Sequence, residues 1–126
     1  MEQKVCIDSD IAIEILKGTK KGAAFLDTCQ DKVMCITSIS IFELYLREKN
    51  LDAIDQFASR TEILSLSEDC ARKAAEVFKQ LKSSGRLIGI RDIFIAATAI
   101  VNQCPLATLN IKDFDRIKEL RLHPLK

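Results

Sequence analysis

Residues 5–16 read VCIDSDIAIEIL, and this stretch contains the pattern that decides the fold. An apolar run at 5–7 is interrupted by Asp8, and from Ile11 onward apolar residues recur at helical spacing. The run predicts a short buried strand, and the later spacing predicts a helix that ends near Gly18. The stretch therefore predicts a strand that leads directly into a helix, with a carboxylate between them.

The same alternation of short apolar runs and longer helical patterns continues along the chain. Further strands are predicted at 33–36, 63–66 and 106–108, and further helices at 20–29, 38–46, 51–59, 68–84, 93–101 and 114–118. The 93–101 helix is apolar on nearly every side, so it is predicted to be central and covered. Short strands that alternate with longer helices are typical of an α/β domain with a parallel sheet. No repeat or linker interrupts the pattern, so residues 1–126 are predicted to form a single domain.

The composition is typical of a globular domain and excludes one class of partner. Hydrophobic residues make up 48% of the 126, and four glycines and two prolines are too few for a disordered chain. The 19 basic and 18 acidic residues give a net charge of +1. This balance argues against a protein that coats nucleic acid non-specifically, but it is compatible with a nuclease that holds a short stretch of RNA or DNA.

The cysteines and the apolar runs bear on the compartment. Five cysteines are scattered without a C-x-x-C pair, so neither a disulfide framework nor a structural zinc site is expected. Cys6 and Cys35 lie in apolar runs and are predicted to be buried thiols. The most apolar run, 93–101, is about half the ~20 residues of a membrane span, and no signal peptide is visible. We therefore expect a soluble protein of the reducing cytoplasm without a membrane segment.

Four acidic residues each stand where a predicted strand hands over to a predicted helix: Asp8, Glu43, Asp92 and Asp113. In a parallel sheet such positions can gather at one edge. Two unit charges about 4 Å apart repel by roughly 4 kcal/mol at an effective dielectric of about 20, so carboxylates sharing a pocket would raise their own pKa values or recruit a divalent cation. Oxygen ligands suit Mg²⁺ or Mn²⁺, and such an ion activates water and stabilises charge on a phosphate. The four acids therefore point to metal-dependent chemistry of the kind that nucleases perform.

Helix capping is the alternative role to be weighed at Asp8 and at Glu43. Asp10 is the better placed N-cap for the helical pattern that follows it, which leaves Asp8 without a structural task. Glu43 completes a Ser40-x-x-Glu43 capping box. Alternatively, the helix starts earlier, near Thr37, and Glu43 lies a turn inside it, where its charge needs a partner.

Asp92 and Asp113 have an electrostatic explanation as well. Each falls in a first helical turn, where negative charge meets the helix dipole favourably, and Asn110 is a good cap for the second of these helices. These alternatives remain open on the residues alone. Two other kinds of site are excluded. The only histidine, His123, is predicted to lie on the surface, so no Ser-His-Asp catalytic set is available. No phosphate-binding glycine loop occurs either.

Four segments of the chain resemble the acidic motifs of one family. VCIDSDIAIEIL, SISIFELYL, IGIRDIFIAATAI and LATLNIKDF are similar to the four motifs of PIN-domain ribonucleases. Within that family, the length and spacing look most like those of the VapC-type toxins of toxin–antitoxin pairs. The resemblance covers essentially the whole chain. It implies a three-layer α/β/α sandwich with a central parallel sheet, bound Mg²⁺ or Mn²⁺, and endonucleolytic hydrolysis of RNA.

The resemblance also implies roles for individual residues. Asp8 and Asp92 would be direct metal ligands, Glu43 would bind metal or orient water, and Asp113 would bind a second metal or act through water. Polar support for this catalytic set would come from Ser9, Asp10, Thr108 and Asn110.

The chain departs from the family pattern at two of these positions. Asp10 stands where relatives often have Asn or Ser, so the site is expected to be unusually negative or to include Asp10 among its metal ligands. Asn110 stands where many relatives carry an acid. The acidic role of the last motif is therefore expected to fall to Asp113. Asp115 is either a nearby substitute for it or a solvated surface residue.

Partners are implied by the resemblance too. Relatives usually form homodimers and are held inactive by an antitoxin whose C-terminal segment packs across the active-site groove. The residues that would contribute an apolar groove, or else pack in the core, are Ile41, Phe42, Tyr45 and Leu46. The basic residues that would guide RNA phosphates, or else only solvate a helix face, are Lys79, Lys82, Arg86 and Arg91.

Three other functions fit the sequence less well. A receiver-type signalling domain also has an acidic Mg²⁺ pocket, which Asp8 and Asp10 would mimic. It requires an aspartate after the third strand and a lysine after the fifth, whereas Lys112 comes a turn too late. The remaining alternatives are a PIN-like domain that only binds RNA or protein, and a housekeeping RNA-processing nuclease without an antitoxin.

Overall fold

Four strands form one parallel sheet, and helices fill the connections between them. The computed structural model describes residues 3–125. The strands are β1 (Gln3–Ile7), β2 (Lys32–Thr37), β3 (Glu62–Leu64) and β4 (Leu106–Ala107). The helices are α1 (Ser9–Lys17), α2 (Lys20–Thr28), α3 (Ser38–Tyr45), α4 (Leu51–Ser59), α5 (Glu68–Ser83), α6 (Ile90–Val101) and α7 (Ile111–Phe114).

The sheet divides the core into two halves. Val5 and Ile7 of β1 pack on the α1–α4 side, whereas Cys6 points to the α5–α7 side, as the alternation of a strand requires. In β2, Ile36 and Cys35 divide in the same way. Both faces of the sheet are therefore covered by helices, and the predicted α/β/α sandwich is confirmed.

The strand order determines where a site can form. The order is β3-β2-β1-β4, with every pair parallel. The chain moves from β1 to one side for β2 and β3, then returns to the other side for β4, so the crevice at the carboxyl ends of β1 and β4 is the topological switch point. A receiver domain has the order 2-1-3-4-5 instead, so that alternative is wrong.

Helix α6 has the central position that its apolar sequence predicts. Its side chains from Ile95 to Ala99 are buried without exception, and α5 packs along it. All five cysteines are buried thiols. No helix among residues 3–125 is long and apolar enough to cross a bilayer.

Three predicted helix starts are wrong, and in each case the backbone turns earlier than the apolar spacing indicates. Helix α6, predicted from residue 93, begins at Ile90. Helix α1 is capped by Asp8, whose Oδ1 accepts a hydrogen bond of 2.9 Å from Ser9 N, so Asp10 is not its cap. Helix α7 covers 111–114 rather than 114–118, which places Asp113 inside it.

The start of α3 decides between the two readings of Glu43. Thr37 is the N-cap, and its Oγ1 accepts from Ser40 N at 3.1 Å. Ser40 is therefore inside the helix, and the capping box with Glu43 is wrong. Glu43 lies a turn into the helix, where it needs a partner.

The surface position predicted for His123 is wrong. His123 is 9% exposed, with Nε2 3.1 Å from Thr28 Oγ1 and its ring edge-on to Phe25. Burial, and secondarily the charge of Lys32, lower the pKa of His123 below its ordinary value. The cause is an isolated bridge in which Leu122 pairs with β4, because this extra pairing draws the following residue under α2.

Candidate active site

The elements at the carboxyl edge of the sheet bring the four predicted acids together. Asp8 follows β1, Glu43 lies on α3, Asp92 is in the first turn of α6 and Asp113 is on α7. Burial raises the pKa of Asp92, and the negative charges of Glu43, Asp113 and Asp10 raise it further. Five carboxylates therefore share one electrostatic environment.

Asp8 is the most deeply buried acid of the group. It is 5% exposed, and its Oδ2 accepts a hydrogen bond of 2.8 Å from the Thr108 hydroxyl. Burial first, and then the charge of Asp10, raise the pKa of Asp8 to about 7, although the hydrogen bonds from Thr108 and Ser9 oppose the shift. Near neutral pH this carboxyl is poised between its protonated and charged forms, so a nearby cation would stabilise the charged form.

Asp10 joins the acidic group through residues that follow β4. Its Oδ2 accepts from Leu109 N at 3.1 Å and lies 3.3 Å from the Thr108 hydroxyl, which has one proton for two carboxylates. The other oxygen, Oδ1, is buried and has no hydrogen-bond partner among residues 3–125. Burial is the main cause that raises the pKa of Asp10. An unpartnered buried carboxylate oxygen is costly, and a bound cation would satisfy it.

Glu43 has the partners that its position requires. Ser9 Oγ donates to Oε1 at 3.0 Å, and Arg91 Nε lies 3.7 Å from Oε2. The same arginine places its guanidinium over the Phe42 ring. Ser9, predicted as polar support, therefore contacts Glu43 directly, and Arg91 partly neutralises it.

Asp113 lies at the more exposed side of the group. Asn110 does not cap α7 through its side chain; its Nδ2 donates to Asp113 Oδ2 at 3.3 Å instead. Asp115 is exposed at the end of α7, as the surface interpretation predicts.

Arg116 is a site-neighbouring residue that the sequence interpretation missed. Its Nη2 lies 3.6 Å from Asp113 Oδ1, and its Nη1 donates to the carbonyl oxygens of Arg86 and Leu87 in the segment before α6. Arg116 thereby ties the helix of Asp113 to the segment that leads to Asp92. The spacing of three residues between Asp113 and Arg116 was the available signal, although Arg116 lies just beyond the end of α7.

The donor set fits a hard divalent cation. The converging groups are carboxylate and hydroxyl oxygens, which suit Mg²⁺ or Mn²⁺, and Asp10 Oδ1 is a buried oxygen without a partner in the described range. As the side chains stand, no three Asp, Glu, His or Cys residues among 3–125 are arranged to hold an ion. Binding would therefore require carboxylate side chains to turn towards a common point.

Comparisons with known proteins agree with this fold and site. The family model described as PIN domain matches residues 5–120. The chain is 31% identical to Ribonuclease VapC2 of Haemophilus influenzae over 94% of this chain and 95% of that protein. It is 35% identical to Ribonuclease VapC2 of Rickettsia felis over 74% of this chain and 75% of that protein.

Solved structures agree as well. VapBC2 from Rickettsia felis, bound to a promoter DNA fragment, superposes with a TM-score of 0.86 at 29% identity, covering 96% of this chain and 98% of that chain. VapBC-1 from nontypeable Haemophilus influenzae gives a TM-score of 0.85 at 25% identity, with 98% of each chain covered. On these grounds the chain belongs to the PIN-domain family, among the VapC ribonucleases.

Proposed function

We propose that the protein is a metal-dependent endoribonuclease and the toxin of a type II toxin–antitoxin pair. One observation carries the proposal. Two carboxylates, the buried Asp8 and the half-buried Asp10, share the single hydroxyl proton of Thr108, and the buried Oδ1 of Asp10 has no partner among residues 3–125, at the edge where three more acids converge. A site with so much uncompensated negative charge has no evident structural purpose, and a cation would resolve it.

Asp8, Asp10 and Asp92 would hold the metal, because burial and mutual repulsion raise the pKa of each one and a cation relieves both costs. Bound Mg²⁺ or Mn²⁺ would activate water and stabilise negative charge on the phosphate. Glu43 is held by Ser9 at Oε1 and lies beside Arg91 at Oε2, and from this position it would bind the metal or orient the attacking water.

The remaining polar residues hold the acids in place. The Thr108 hydroxyl sets the separation of Asp8 and Asp10, and Asn110 N in turn donates to Thr108 Oγ1 at 3.0 Å. Asn110 also holds Asp113, which would bind a second ion or act through water.

The catalytic proposal is tested with purified protein and RNA labelled at both ends. Cleavage should produce internal cuts in Mg²⁺ or Mn²⁺, stop in EDTA, and be lost in Asp8→Asn and Asp92→Asn. Asp115→Asn serves as the matched control, because this exposed acid should leave cleavage unchanged. Undiminished metal-dependent cleavage in both site variants contradicts the site assignment.

The toxin assignment rests on the relatives and on an exposed apolar surface. The two solved relatives named above are VapBC assemblies. Phe42, Tyr45 and Leu46 are exposed on α3, the helix of Glu43, and at its end, whereas Ile41 packs against the core and is not available. We infer that these three side chains receive an antitoxin segment and that the single domain of residues 1–126 acts as a cytoplasmic homodimer.

Expression in cells tests the toxin assignment. Induced expression should stop growth, and co-expression of the antitoxin encoded beside the gene should restore it. Normal growth, with RNA cleavage intact in the test tube, would favour the housekeeping nuclease instead. Light scattering of the purified protein measures whether it is a dimer.

A further inference from the structure

Phe42 and Arg91 form an exposed pair beside the acids. The guanidinium carbon of Arg91 lies 5.7 Å from the centre of the Phe42 ring, and Nε lies 3.7 Å from Glu43 Oε2. Phe42 precedes Glu43 on α3, and Arg91 precedes Asp92 on α6. Phe42 and Arg91 therefore each lie one residue before an acid of the site. The phosphate to be cleaved must approach these acids.

Neither side chain has a substantial role in the core. Phe42 is 51% exposed, and so is the side chain of Arg91. A cation–π contact and an ion pair with this much solvent exposure stabilise a fold weakly. Arg116, the cation beside Asp113, is different, because its side chain is mostly buried and donates to two loop carbonyls. Of Arg91 and Arg116, Arg91 is therefore the one that can exchange its present contacts for contacts with a ligand.

We propose that Phe42 and Arg91 form a nucleotide platform that selects unpaired RNA at the cleavage site. This inference rests on the proposed ribonuclease function. An RNA base stacks on the Phe42 ring in the place that the Arg91 guanidinium holds without substrate, and Arg91 moves to a neighbouring phosphate. Single-stranded RNA is commonly held by stacking on aromatic rings and guanidinium planes, which tolerates any base.

Charge supports RNA as the occupant of the platform. The five carboxylates repel a phosphodiester backbone, and Arg91 supplies positive charge at the border of that repulsive region. Bases within a duplex are stacked on one another and do not present a free face. The nucleotide that Phe42 and Arg91 contact is therefore one whose base is unpaired.

Binding is measured in an Asp92→Asn background, so that RNA is not consumed. Fluorescence anisotropy compares a short single-stranded oligoribonucleotide with the same sequence in a duplex. Phe42→Leu keeps the apolar bulk and removes the aromatic face, so it should weaken single-strand binding by about 5- to 100-fold, the range that one stacked base contributes, and leave duplex binding unchanged. Leu26→Ala removes an exposed apolar side chain of α2, a helix that carries none of the five acids, and should change neither.

Two further variants report on each half of the platform. The chain contains no tryptophan, so Phe42→Trp introduces a single reporter that keeps a stacking face. Its fluorescence should be quenched by the oligoribonucleotide with the affinity that anisotropy gives. Arg91→Ala should reduce the slope of log affinity against log salt by about one, as expected for one lost phosphate contact. Arg72→Ala, which removes an exposed arginine of α5, should leave the slope unchanged.

The platform proposal is overturned if Phe42→Leu binds single-stranded RNA with normal affinity, or if RNA does not quench the tryptophan of Phe42→Trp. If Phe42→Leu binds RNA normally and loses only a co-expressed antitoxin, Phe42 belongs to a protein interface, which also overturns the platform. The proposed function fails separately, if the unaltered protein does not cleave RNA, because the binding comparison does not depend on cleavage.

Discussion

Replacing Asp8 by asparagine should stabilise the metal-free protein above pH 7. The pKa of Asp8 is raised from 3.8 to about 7, mainly by burial and by Asp10. Between these values the folded state holds a proton that the unfolded state releases, so stability falls as pH rises from about 4 to about 7. Asparagine does not ionise and can still accept from Ser9 N, so the variant avoids this loss.

The expected gain follows from the size of the shift. At about 1.4 kcal/mol per pKa unit, the cost of charging Asp8 is about 4 kcal/mol at most, and mutual relaxation of the carboxylates reduces it to about 2–4 kcal/mol. This corresponds to a rise in Tm of about 6–15 °C for a domain of this length.

Urea unfolding in EDTA, followed by circular dichroism at pH 4.5 and pH 8, measures the effect. The variant should gain stability at pH 8 and differ from the parent protein by only about 1 kcal/mol or less at pH 4.5. Adding Mg²⁺ or Mn²⁺ should stabilise the parent protein and not the variant, because the variant lacks a ligand. Asp115→Asn, at an exposed position, should stay within about 0.5 kcal/mol throughout. Equal stability of Asp8→Asn and the parent protein at both pH values would refute the reasoning.

Three further predictions address residues around the site and the core. Arg116→Met should reduce cleavage at least about tenfold in kcat/KM and lower stability by about 1–3 kcal/mol, since the variant releases Asp113 and two loop carbonyls; wild-type kinetics would contradict this role. Gly22→Ala should cost about 1–3 kcal/mol in urea unfolding, because a Cβ there would lie 2.5 Å from a carbonyl oxygen of α1, whereas Gly89→Ala, with nothing within 4 Å, should be tolerated. In an NMR pH series, the ring signals of His123 should titrate with a pKa below the ordinary histidine value of about 6.5. Because the pKa is lowered in the folded state, the contribution of His123 to stability is present above about pH 6.5 and is lost as pH falls. Titration of His123 at or above that value would show that the buried contact with α2 is absent.

The sheet and the gathering of acids were predictable because both depend on local patterns. Short apolar runs followed by helical spacing indicate parallel strands, and parallel strands place their following residues at one edge. Asp8 and Glu43 could be grouped on that basis. The expected strand before Asp92 is wrong, because Asp92 follows helix α5 and a loop, and its place at this edge depends on how α6 packs. The choice between Asp8 and Asp10 as the cap of α1 could not be predicted, because it depends on where the backbone turns, and the first helical residue, Ser9, is not apolar.

Contacts between distant segments explain the rest of the differences. His123 is buried because Leu122 forms a bridge to β4, and no local sequence pattern predicts that bridge. Arg116 reaches carbonyl oxygens about 30 residues away in sequence, and only its spacing from Asp113 was visible. The unpartnered oxygen of Asp10 likewise depends on how Leu109 and Thr108 approach it in the folded protein.

The hydroxyl of Thr108 has a consequence for the timing of activity during synthesis. It joins residues 100 positions apart in sequence, because β4 must dock beside β1 before Thr108 reaches Asp8. Contacts of such long range form only after the intervening chain is available. A nascent chain that has not yet emerged from the ribosome through residue 108 therefore holds its first carboxylates without the partner that spaces them. Cleavage is therefore expected only from chains in which β4 has already docked beside β1.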